Sequence, residues 1–99
     1  MEITKELLIE NGFKSNHPDY VITTFTLNNK IKPEWNISIS KQYMPYTNKL
    51  TWNCDCWLCN DKGVIIKRGS LSDVNNTEDF NLFIKLCNID FKLPNIWEA

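Results

Sequence analysis

Residues 49–68 constrain this chain most. They read as a long strand, a tight turn and a returning strand. At strand period Leu50, Trp52, Cys54, Cys56 and Leu58 share one face, and Thr51, Asn53, Asp55, Trp57 and Cys59 share the other. Asn60-Asp61-Lys62-Gly63 suits a type I turn closed by a left-handed glycine. Val64 to Arg68 then returns as a shorter strand. Such a hairpin cannot bury its apolar face alone, so the rest of the chain must supply further strands and a cover.

The flanking sequence supplies both. Residues 20–27 are rich in β-branched and aromatic side chains, and residues 34–41 alternate Trp35, Ile37 and Ile39 with Asn36, Ser38 and Ser40. Asn28-Asn29-Lys30 marks the turn between them. Residues 42–48, with Met44-Pro45-Tyr46, read as a loop. At the N-terminal end, residues 3–13 read as a short helix. Thr4 is its cap, Ile3 and Leu8 form a staple across its start, and Gly12 ends it. Near Thr77 the period becomes helical: Phe80, Phe83, Ile84 and Cys87 make one face, with Glu78 and Asp79 in the first turn. Asn75, Asn76 and Thr77 are alternative caps. Residues 69–76 read as a polar loop anchored by Leu71 and Val74.

The expected architecture is therefore α+β, in the order α-β-β-β-β-α. It is a four-stranded antiparallel meander with an N-terminal and a C-terminal helix on one face. Residues 1–94 form a single domain, and 95–99 a C-terminal tail. A chain of 99 residues with a formal net charge of −1 and no run of one sign lacks the footprint of a duplex nucleic-acid or anionic-membrane binder. No apolar run spans a bilayer, and the N-terminus does not read as a signal peptide. Four cysteines without an export signal point to free thiols and a cytoplasmic setting.

The chemistry-bearing side chains are few. Cys54, Cys56 and Cys59 suggest a metal site, with Cys87 or His17 as a fourth ligand. Zinc needs converging donors, however, and a strand points Cys59 away from the other two. Small core residues are the better reading of Cys54, Cys56 and Cys87. A thiol or serine nucleophile would have to use His17, the single histidine, which sits in a polar loop. Three glycines supply no phosphate-cradling loop. Catalysis and a bound cofactor are not expected. Trp35 and Trp52 fit the apolar faces of their strands, whereas Trp57 shares its face with Asp55. Tyr43, Met44, Tyr46, Asp55, Trp57 and Trp97 are the candidates for a partner surface.

Leu7-Leu8 and Gly12-Phe13 at one end, and Phe83 to Asp90 at the other, carry a resemblance. The chain resembles small uncharacterised proteins of phages and mobile elements of Bacteroides-like bacteria. That resemblance covers the two ends and implies a cytoplasmic accessory protein, without an activity or site residues. Together these readings give a non-catalytic interaction module that binds a protein partner or a second copy of itself. The alternative is a small-molecule or nucleotide-sequestering protein using Trp57, Lys67 and Arg68. The lesser alternative is a metal module on Cys54, Cys56 and Cys59.

Overall fold

The computed structural model describes residues 1–94. The elements are α1 (Lys5–Glu10), β1 (Thr23–Asn29), β2 (Trp35–Tyr43), β3 (Leu50–Cys59), β4 (Ile65–Leu71) and α2 (Thr77–Leu86). The strands form one antiparallel sheet in the order β1-β2-β3-β4, with a helix before it and a helix after it. This is the α+β meander that the alternating pattern predicts. Trp97 and the rest of the tail lie outside the described residues.

The core lies between the sheet and the helices. Two cross-strand rows carry it. One runs Phe25, Ile39, Cys54, Leu71, and the next runs Leu27, Ile37, Cys56, Gly69. Ile3 and Leu8 from the N-terminal end, and Phe80 and Ile84 from α2, close over these rows. Trp52 joins them, and its indole N–H donates to the Ile3 carbonyl at 3.2 Å. That bond satisfies the one polar atom the side chain takes into the core.

Both helices begin as their sequences predict. The Thr4 hydroxyl accepts from the Leu7 N–H at 3.1 Å, and Gly12 turns the chain at φ +93°. At α2 the three candidate caps resolve to Asn76. Its side chain accepts from the Asp79 N–H at 2.8 Å and donates back to the Asp79 carboxylate at 3.0 Å. The β3–β4 turn is also as expected. Gly63 takes φ +78° and its N–H bonds the Asn60 carbonyl at 3.0 Å.

Four expectations need correction. First, β1 starts at Thr23 rather than Tyr20. The Tyr20 ring stacks on His17 at 4.6 Å, and Thr23 donates to the His17 carbonyl, so residues 17–22 form a loop of their own. β1 instead runs on through Asn28 and Asn29, which pair with Asn36 and Trp35. Second, β2 extends to Tyr43, in register with Leu50. Third, β4 runs through Gly69 to Leu71, where a loop is expected. Its glycine is explained by what lies above. A Cβ there would stand 2.9 Å from the Cys87 sulfur and 3.0 Å from the Phe83 ring. Glycine is the residue that lets α2 approach β4 so closely. Fourth, Thr51 and Cys59 are buried although alternation assigns them to the wet face. Thr51 is covered by the segment after β4, where it donates to Asp73 at 2.6 Å and to Asn75 at 3.0 Å. Cys59, 4% exposed, ends β3 where pairing with β4 slips and the Glu34 carbonyl accepts its N–H at 2.8 Å. The 32–34 segment thus closes over the strand end.

Candidate interaction edge

A sheet of four strands has two edges, and this one treats them differently. Beyond β1, Lys14 exchanges both main-chain hydrogen bonds with Thr26 at 2.9 Å. Ser15 adds a hydroxyl contact to Thr23 at 2.9 Å. The chain itself therefore blocks that edge at its middle, with Thr24 and Asn28 to either side of the bridge. Beyond β4 no strand or bridge follows among the described residues.

The ladder shows which groups β4 presents there. In an antiparallel pair, successive residues point their N–H and C=O alternately to the two sides. Cys59 bonds toward β2, and Trp52 gives its carbonyl to Val74 on the β4 side. Cys54, Cys56 and Leu58 therefore bond to their partners Leu71, Gly69 and Lys67. The N–H and C=O of Arg68 and Ser70 then face outward. Unpaired main-chain groups of this kind are a template for another strand.

Apolar side chains are exposed at the start of β4 and on α2. Val64 is 57% exposed and Ile66 60%, and Ile65 is also exposed. On α2, Leu82 and Leu86 are 59% and 64% exposed. They lie one turn apart, so they share a face. With Leu71, Ser72, Asp73, Asp79 and Phe83 they line an open groove of about 320 Å³ beside the end of β4. Its rim is acidic at Asp73 and Asp79. Hydrogen bonds from Thr51 and Asn75, and Lys49 at 3.5 Å, hold the Asp73 carboxyl below its ordinary range. In the middle of β4 stand Lys67 and Arg68, both exposed.

The residues singled out from sequence do not gather in one place. Asp55, Trp57 and Arg68 are neighbours on the open face of the sheet, where Trp57 pairs with Arg68 and Asp55 with Ser70. The Ser70 hydroxyl donates to the Asp55 carboxylate. Trp57 is half-buried rather than exposed. Lys67 pairs with Leu58 and stands on the covered side, so it does not join Trp57 and Arg68. Tyr43, Met44 and Tyr46 sit at the β2–β3 tip, where Met44 bonds Lys49 at 2.8 Å and Tyr46 is fully exposed. That tip is about seven residues of strand, roughly 23 Å, from Trp57. Sequence reading missed Val64, Ile65, Ile66, Leu82 and Leu86. Their apolar character was visible, but not that Leu82 and Leu86 would flank the end of β4.

The cysteines belong to the interior. All four are free and buried. Burial pushes the Cys56 thiol up to about 12, with Cys87 beside it adding to the effect. Burial raises Cys54 as well, followed by the influence of Cys56. A thiol held neutral in this way is a poor nucleophile. Among the described residues no three His, Cys, Asp or Glu side chains are placed to hold a metal ion. No helix among them is long and apolar enough to cross a membrane. Comparison with protein-family models, curated proteins and solved structures finds no match for the chain.

Proposed function

We propose that this protein is a small non-catalytic binding module that acts through the β4 edge and the adjoining α2 groove. The carrying observation is the asymmetry of the sheet. Lys14 blocks the middle of the β1 edge, whereas no described segment pairs with β4, whose Arg68 and Ser70 present outward main-chain groups near exposed Leu82 and Leu86. A partner strand laid there would gain main-chain hydrogen bonds and bury apolar surface together. The likeness of its two ends to small phage and mobile-element proteins fits an accessory role of this kind. The absence of activated thiols among Cys54 and Cys56 also favours binding over catalysis.

The test is comparative capture from the natural host. Wild-type chain and an Arg68→Pro variant serve as baits. Proline removes an outward N–H that no described residue of the chain uses, and edge strands tolerate it. The reading expects the retained partner, whether another protein or the bait's own chain, to be lost with the variant. An identical set of partners on both baits contradicts it.

A further inference from the structure

The β4 edge is complementary to itself. We infer that the partner it takes is a second copy of this chain, joined β4 to β4 about a two-fold axis through Gly69. This inference rests on the edge being the binding surface. It adds the occupant and the register.

The register follows from the geometry. Only Arg68 and Ser70 present outward main-chain groups within the regular part of β4, because a bulge interrupts pairing on the Ile65–Ile66 side. Beyond Leu71 the strand ends, and Asp73 takes φ +58°, which extended pairing does not accommodate. A two-fold antiparallel pair that uses both groups must set Arg68 against Ser70 of the second copy, which puts Gly69 on the axis. Centring on Arg68 would oppose two guanidinium groups across the axis and cost like-charge repulsion. Centring on Ser70 would push Arg68 past the strand end of the second copy.

In the Gly69 register the side chains agree as well. On the open face each Arg68 lies beside the second copy's Ser70, whose hydroxyl is bonded to Asp55. The guanidinium thus meets a carboxylate two strands away. On the covered face each Lys67 lies opposite the second copy's Leu71, at the mouth of the groove rimmed by Asp73 and Asp79. Lys67 has an apolar stem and a charged tip, which suit that groove's apolar wall and acidic rim. Phe83 stands directly over Gly69, so the two Phe83 rings would meet above the axis. Leu82 and Leu86 flank them. One arrangement thus satisfies the outward main-chain groups, turns Lys67 and Arg68 toward carboxylates of the second copy, and covers the exposed residues of α2. An isologous contact of this type closes on itself, giving a dimer and no fibre.

Light scattering on size-exclusion-purified protein over a concentration series reads the occupant. The expected mass is that of two chains, falling to one on dilution. Arg68→Pro and Leu86→Asp should each shift the equilibrium to one chain while leaving the far-ultraviolet circular dichroism unchanged. Leu86 is exposed, so its variant keeps the test valid if the proline variant fails to fold. Oxidative crosslinking reads the register. An equal mixture of Arg68→Cys and Ser70→Cys chains should give the mixed crosslink in excess over either homodimer crosslink. A single-chain mass at every concentration overturns self-pairing. If Arg68→Pro then still abolishes capture of another protein, the edge stands and only its occupant is wrong. A dimer indifferent to both variants overturns the edge itself. Homodimer crosslinks in excess overturn the Gly69 register.

Discussion

Gly69 shows how much one side chain decides here. It sits in β4 with a sulfur and an aromatic ring where a Cβ would go. Gly69→Ala should therefore destabilise the fold by about 1–3 kcal/mol through overpacking. Cys87→Ala in the same chain removes the nearer obstacle and should recover part of that loss in a denaturant double-mutant cycle. Equal losses with and without Cys87 would mean that Phe83 alone resists the methyl. The thiols provide a second test at this scale. Because Cys54 and Cys56 are buried and held neutral, a thiol reagent should label native protein at pH 8 far more slowly than denatured protein. Rapid labelling of either would show that the core opens. Residue identity at these places was only partly legible. Cys54 and Cys56 declared their burial through alternation with Asn53 and Asp55. Cys59 did not, because its burial comes from the 32–34 segment, which is distant in sequence.

At the scale of elements, caps and turns were the most readable features. Their causes are local: a hydroxyl three residues from an orphan N–H, or a glycine at a left-handed position. Asn76→Ala should cost about 1 kcal/mol, since α2 loses both halves of a reciprocal cap. A thermal or denaturant melt measures it. Strand ends were less readable. Tyr20, Val21 and Ile22 have strand-like side chains but are drawn into a loop by His17 and Thr23. Gly69 and Ser70 look like loop residues but complete β4 because β3 offers them partners. The segment after β4 is fixed to β3 through Asp73, and this link depends on pH. The folded carboxyl of Asp73 lies below its unfolded value, so its contribution is present above the unfolded pKa, about 3.9. It is lost as pH falls through the lower folded value. Asp73→Asn keeps a residue suited to a positive φ and removes the charge. The variant should show a shallower fall in stability below about pH 4 than the parent. Parallel acid limbs for the two proteins would show that Asp73 is not linked to folding.

For the molecule as a whole, the layered α+β architecture could be read from periodicity, because the faces of a sheet and a helix are written in the spacing of Phe25, Ile37, Ile39, Trp52 and Phe80. The proposed binding edge could not. Which strand lies at an edge, and whether the chain itself covers that edge, depends on Lys14 pairing with Thr26 and on nothing pairing with Arg68 among the described residues. The sequence reading offers Tyr43, Met44, Tyr46, Asp55, Trp57 and Trp97 as candidates for a partner surface. The proposed surface is instead the edge left unpaired among the described residues, beside Leu82 and Leu86. Residue-resolved amide hydrogen exchange tests the claim most directly. In the associated protein the amides of Arg68 and Ser70 should be protected, approaching that of Thr26, and they should become fast-exchanging in the dissociated chain. Fast exchange at Arg68 and Ser70 in the associated protein, with Thr26 protected, would contradict it.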